Sequence, residues 1–128
     1  DNFVLRMLHH VEGELHVVDD EFTTPTYASS LARQIRLLAE KGEPGVYHAT
    51  CQGGCSWYEF AKAIFEETGK QAVLKAVKRD CSQSPVKRPR FSVLDNRRLQ
   101  ALGLDIMPMW RDALREYLSD LSREKAVS

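Results

Sequence analysis

Residues 45–65, GVYHATCQGGCSWYEFAKAIF, constrain this chain more than any other stretch, because they read as a buried strand, a glycine turn and an amphipathic helix in direct succession. Val46, Tyr47, His48, Ala49 and Thr50 make a short β-prone run. Gln52-Gly53-Gly54 reads as a turn, since glycine enters backbone regions closed to residues that carry a Cβ. Ser56 stands three residues before Glu59, the spacing of a capping box. In that motif the hydroxyl accepts from an orphaned helix amide and the carboxylate reaches back to the N–H of the cap. Trp57, Phe60, Ala61, Ile64 and Phe65 follow at helical spacing, and Gly69 predicts the stop. A strand that feeds a helix in this way is half of a β-α-β unit, so an α/β fold is expected.

The flanking segments extend the pattern. Phe3, Val4, Met7, Leu8 and Val11 give residues 2–11 one apolar helical face, closed by Gly13. Leu15-His16-Val17-Val18 predicts a strand, and Asp19, Asp20 and Glu21 an acidic, solvated turn without the spacing of a calcium loop. Pro25 forces extended backbone before it, and Thr26 is placed to cap a helix over residues 27–41 with Ala28, Leu31, Ala32, Ile35 and Leu38/Ala39 inward. Gly42 ends it. Residues 73–77 predict a second strand. Residues 78–90 show no periodicity and carry Lys78, Arg79, Lys87, Arg88 and Arg90; a loop of this length in a compact domain suggests function. Asp95 is expected to cap a short helix ending at Gly103. Pro108 precedes a last helix whose apolar stripe is Trp110, Ala113, Leu114, Tyr117, Leu118 and Leu121, with residues 122–128 as a flexible tail.

Composition narrows the class. The 128 residues suffice for one domain, and 43% hydrophobic with 28% charged residues is ordinary for a globular chain. Lys and Arg balance Asp and Glu at net charge zero, which with only one aromatic, Phe91, in residues 78–98 argues against nucleic acid as a partner. No apolar run approaches the roughly 20 residues that span a bilayer. Cys51, Cys55 and Cys81 are an odd set without a disulfide framework and suggest reduced thiols and a cytoplasmic setting. Cys51, Cys55 and His48 lack a second ligand pair, so they read as apolar strand-end residues rather than a zinc site. The chain starts Asp-Asn-Phe-Val without an initiator Met, so its natural N-terminus is expected to lie upstream.

Three blocks together resemble one family. They are Asn2-Phe3-Val4 with Phe22-Thr23-Thr24-Pro25-Thr26-Tyr27-Ala28; Gly45-Val46-Tyr47-His48 with Ser56-Trp57-Tyr58-Glu59-Phe60-Ala61; and Arg88-Pro89 with Ser92-Val93-Leu94-Asp95-Asn96 before the Trp110 helix. In order and spacing they are similar to the C-terminal, substrate-binding half of dTDP-4-dehydrorhamnose reductases, extended short-chain dehydrogenase/reductases. The resemblance covers nearly the whole chain. It implies a partial Rossmann-like fold, with residues 1–128 as a single domain holding the C-terminal strands and substrate-side helices. It also implies reduction of the 4-keto group of dTDP-4-dehydro-L-rhamnose to dTDP-L-rhamnose. NADPH or NADH would be bound by an N-terminal half absent here, which would also supply the catalytic Tyr-x-x-x-Lys. Mg²⁺ is an open option for which these residues offer no ligand set. The fragment alone is expected to be inactive, to have the missing half and a dTDP-sugar as partners, and to leave room for a homodimer.

The resemblance also implies site residues. Arg88 suits a diphosphate, because a guanidinium presents two donors in a fixed fork and Pro89 stiffens the chain behind it. Asn2, Thr24, Thr26 and Lys87 are the further substrate-binding candidates. Ser29-Ser30 departs from the family, which often has an acidic residue there. No G-x-x-G-x-x-G or G-x-G-x-x-G occurs. Tyr58 and Lys62 satisfy Tyr-x-x-x-Lys, but with no cofactor loop before them they read as a surface pair. Trp57 and Trp110 read as core residues, and His48 as a core or edge histidine. The alternatives on the same fold are a non-catalytic homologue, like the regulatory subunit of methionine adenosyltransferase, and a related NAD-dependent sugar-nucleotide epimerase or dehydratase.

Overall fold

A computed structural model describes residues 2–10, 13–79 and 88–127. Helices and short strands mix along the chain, as expected, and the residues gather into two compact units. The first unit contains residues 1–23 and 55–92, the second 24–54 and 93–128.

In the first unit, helix α1 (Phe3–His9) is followed by strand β1 (Glu14–Val18) and the two-residue β2 (Phe22–Thr23). After the excursion into the second unit come β3 (Cys55–Ser56), helix α3 (Trp57–Thr68) and β4 (Val73–Val77). Strands β1 and β4 pair in parallel, from Glu14 with Val73 to Val18 with Val77, and β2 pairs antiparallel with β3. Helix α3 packs against α1, β1, β3 and β4. It starts where the sequence places it. Glu59 N donates to Ser56 Oγ at 3.1 Å and Ser56 N to Glu59 Oε2 at 2.7 Å, a complete capping box. Gly69 ends it at φ 68°, a left-handed conformation that a Cβ would strain. Phe60, Ala61, Ile64 and Phe65 are buried, as are Val4 and Met7 of α1 and Val17 of β1. Helix α1 ends at His9, short of the predicted residue 11; Val11 and Glu12 lie outside the described residues.

The second unit joins helices α2 (Ala28–Lys41), α4 (Arg97–Ala101) and α5 (Trp110–Val127) around Cys51, Met107 and Ala113, against which Tyr27, Leu31 and Trp110 pack. Four expectations fail here, each for a physical reason. Residues 46–50 are not a buried strand: Val46 is 82% exposed and no strand is assigned. A β-prone run needs a neighbour to bond, and the neighbour comes later. Gln52 N donates to Pro108 O at 2.8 Å and Trp110 N to Gln52 O at 3.0 Å, forming a parallel bridge between Gln52 and Met109. Helix α2 buries Ser30 and Gln34 and leaves Ala28, Ala32, Ile35 and Ala39 exposed, because the Gln34 amide is needed by the backbone it packs against. Thr26 does not cap α2; Tyr27 holds the cap position without a side-chain bond, and the Thr26 hydroxyl is engaged elsewhere. Asn96 rather than Asp95 precedes α4. Helix α5 runs through Val127, and residues 122–127 are helical and exposed. No helix among the described residues is long and apolar enough to cross a membrane.

Candidate functional site

The turn after β1 organises the chemistry of the first unit. The β1–β4 ladder runs one bond past β1, with Asp19 N donating to Val77 O at 3.0 Å. The acidic residues then engage the root of the basic stretch. Asp19 Oδ1 lies 2.8 Å from Lys78 Nζ, Asp20 Oδ1 accepts from Arg79 N at 3.0 Å, and Glu21 forms an ion pair with the Arg79 guanidinium. The acidic turn is therefore a docking point and not merely a solvated loop. Asp19 beside it holds the Lys78 ammonium pKa above its ordinary value. The far end of the basic stretch returns to the next residue. Phe22 N donates to Arg90 O at 2.7 Å, and Ser92 N to Phe22 O at 2.9 Å, with Ser92 Oγ also donating to Phe22 O at 3.1 Å. Four consecutive residues, Asp19 to Phe22, thus pin both ends of the segment that carries Arg88 and Arg90.

Arg88, Pro89 and Arg90 are exposed, and Lys87 lies outside the described residues. Asn2 is exposed in the same unit and caps α1, its Oδ1 accepting from Leu5 N at 2.9 Å. Phe3 fixes that helix on α3, with its ring 4.9 Å from Trp57 and 5.5 Å from Phe60. Lys70 Nζ donates to the carbonyls of Leu8 and His10 and closes the other end of α1, where a cation also suits the helix dipole.

Thr24 and Thr26 belong to the second unit and Asn2 and Arg88 to the first. Their hydroxyls serve the fold. Thr24 Oγ1 donates to Gly53 O at 2.9 Å, while Thr26 Oγ1 donates to Thr24 O at 3.2 Å and accepts from Cys51 N at 3.1 Å. Together they hold the turn at Gly53, whose φ of 75° is left-handed and where a Cβ would meet Met109 Cε at 3.0 Å. Sequence reasoning missed the residues that stiffen this unit. Asn96 acts as a surrogate strand, accepting from Thr50 N at 3.0 Å and donating to Thr50 O at 2.7 Å. Asp105 accepts from Gln52 Nε2 at 3.0 Å and from Met107 N at 3.0 Å. Asn96 stands in the third block quoted above, but nothing local marks this role for it or for Asp105; a polar side chain that replaces a missing ladder leaves no periodic trace.

Other readings fare as follows. Lys62 lies 3.9 Å from Glu66, one turn further along α3. Trp57 and Trp110 pack on Phe3 and on the Cys51 cluster. His48 is exposed. Cys51 and Cys55 are buried free thiols; burial raises the pKa of Cys51, and burial followed by the Glu59 charge pushes Cys55 up to about 12. Among the described residues no group of three or more His, Cys, Asp and Glu side chains is arranged to hold a metal. A dinucleotide pyrophosphate does not fit the glycine-led start of α3 either. The first turn of α3 is closed by Ser56 and by the Glu59 carboxylate, which would repel an anion there.

Residues 1–123 match the family model of the RmlD substrate binding domain. The chain belongs to that family. Its relatives include the spore coat polysaccharide biosynthesis protein SpsK of Bacillus subtilis, 43% identical over 124 residues that make up 94% of this chain and 43% of SpsK. A dTDP-4-dehydrorhamnose reductase from Clostridium acetobutylicum superposes with a TM-score of 0.90 at 37% identity, over 95% of this chain and 44% of that one. A dTDP-4-dehydrorhamnose reductase from Bacillus anthracis, solved in complex with NADP, does so at 0.88 and 30% identity, over 94% and 43%. The family membership and these folds bear out the sequence resemblance and the partial Rossmann-like α/β class. The chain spans less than half the length of these relatives.

Proposed function

We propose that this chain is the substrate-binding part of an NAD(P)H-dependent reductase that converts the 4-keto group of dTDP-4-dehydro-L-rhamnose to the alcohol of dTDP-L-rhamnose. The observation that carries the reading is the match to the RmlD substrate binding domain over residues 1–123, joined to a pinned, exposed Arg88–Arg90 segment of the right chemistry for a diphosphate. NAD(P)H would supply the hydride, held by the part of the protein outside this chain; the capped start of α3 offers its pyrophosphate no seat.

The task of this chain is then positional. The nucleoside diphosphate is remote from the carbon that is reduced. Anchoring it converts binding energy into orientation of the keto group, which lowers the entropic part of the barrier. Arg88 would donate two parallel N–H bonds to phosphate oxygens, with Arg90 adding charge. The tie of Arg79 to Asp20 and Glu21 and that of Arg90 to Phe22 limit the freedom lost on binding. Asn2, exposed at the start of α1, would border the ligand while its Oδ1 accepts from Leu5 N. Sugar-nucleotide reduction with a pyridine nucleotide, and free thiols, suit a cytoplasmic setting.

Calorimetry with dTDP on the intact protein tests this. Arg88→Ala should weaken Kd by about 10-fold or more, the loss expected for charged hydrogen bonds, and Arg88→Lys should restore only part of it. An unchanged Kd in Arg88→Ala would refute the placement of the diphosphate.

A further inference from the structure

Beside the pinned arginines lies a surface that the fold leaves open. Phe91 is 68% exposed and Phe22 39%, with ring centroids 6.4 Å apart and planes inclined by 42°. The rings are not on a loose tip. Phe22 pairs with Ser56 of β3 on one side and bridges in parallel to Phe91 on the other, and the Arg90 carbonyl and Ser92 amide bond it from either side. Two large apolar rings held on hydrogen-bonded backbone and left facing water are pre-ordered for a flat ligand. A patch of two rings is far smaller than the roughly 800 Å² per partner of a stable protein interface. The exposed guanidinium-bearing residues Arg88 and Arg90 adjoin it within three residues of Phe91.

An uncharged aromatic surface close along the chain to two exposed cations matches one chemistry closely: a heterocyclic base joined through a sugar to phosphates. We propose that Phe22 and Phe91 form a stacking platform for the nucleobase of a nucleoside-diphosphate ligand whose phosphates are taken by Arg88 and Arg90. The inference rests on the reading of Arg88 given above and adds the place of the base. Stacking uses the π face that every base has, so the platform supplies affinity with little choice between pyrimidines. UDP and dTDP should bind within a few-fold of each other.

The test is calorimetry on the intact protein with dTDP and, separately, inorganic pyrophosphate. Phe91→Ala should weaken dTDP by about 10-fold, as for loss of one base–aromatic stack, and leave pyrophosphate unchanged. Phe91→Trp, which keeps a ring and guards against a misfolded Ala variant, should bind dTDP at least as tightly as the parent. Phe91→Leu, apolar but without a ring face, should behave like Ala. Parental dTDP affinity in Phe91→Ala or Phe91→Leu, with Arg88→Ala impaired, would sink the platform and spare the diphosphate site. Parental affinity in both Phe91→Ala and Arg88→Ala would sink both. An equal loss of pyrophosphate binding in Phe91→Ala would show that the ring acts through the backbone of residues 88–92, and would also overturn the platform.

Discussion

Gln34 offers the sharpest test of how the second unit is held. Its side chain is fully buried on α2, an unusual place for an amide. Nε2 donates to Leu104 O at 2.9 Å, and Oε1 accepts from Ile106 N at 2.9 Å, so one side chain satisfies two backbone groups of the loop between α4 and α5. Gln34→Leu keeps the volume and removes both bonds. Each orphaned group costs about 1–3 kcal/mol. Ile106 is 52% exposed, so water can reach its N–H once the amide is gone, and the lower half of the range applies. The expected loss is about 2–3 kcal/mol in urea unfolding, seen as a lower midpoint at constant slope. Gln34→Glu separates hydrogen bonding from packing. A protonated Glu can reproduce both bonds, whereas a carboxylate faces the Leu104 carbonyl. Burial raises its folded-state pKa, so the protonated folded form is favoured and stability falls as pH rises above the unfolded carboxyl pKa of about 4. Gln34→Glu should therefore approach the parent near pH 4 and fall behind at pH 7. A Leu variant within about 0.5 kcal/mol of the parent, or a Glu variant with parental pH dependence, would refute the two-bond account.

Two further predictions concern the first unit. Ser56→Ala removes one half of the capping box and should cost about 1 kcal/mol in the same urea assay, with Ser56→Asp recovering most of it. Cys55, its folded pKa pushed up to about 12, keeps its proton in the folded state while the unfolded thiol ionises at about 9; stability should decline as pH rises from about 9, by at most about 1.4 kcal/mol per pH unit, and iodoacetamide should label it only on unfolding. Fast labelling at neutral pH in the folded protein would contradict its burial.

Much of the architecture is legible in the residues because it is local. The Ser56–Glu59 box, the apolar stripe of Phe60, Ile64 and Phe65, and the left-handed Gly69 each encode their own element through contacts within a few positions. Alternation and β-branching likewise mark Glu14–Val18 and Val73–Val77, although that they pair in parallel with each other is a long-range fact. Residues 46–50 show the limit. Their β propensity is real, but a strand exists only where a second chain segment offers bonds, and here the partner of the backbone is the Asn96 side chain and then Pro108 and Trp110. The hydroxyl of Thr26 looks like a helix cap from its neighbours alone; Cys51, distant in sequence, claims it instead.

The candidate site divides in the same way. Arginine, proline and aromatic residues at 88–91 are visible as residue types whose chemistry suits a phosphorylated ligand. Only the tertiary structure shows that Asp19 to Phe22 grip both ends of that segment and set the Phe22 ring beside Phe91. The sequence by itself therefore determined which elements form and what chemistry is on offer, since both depend on side chains and their near neighbours. Which groups are buried, pinned or left open was decided by contacts between positions some 60 to 70 residues apart, whose strength no local pattern encodes.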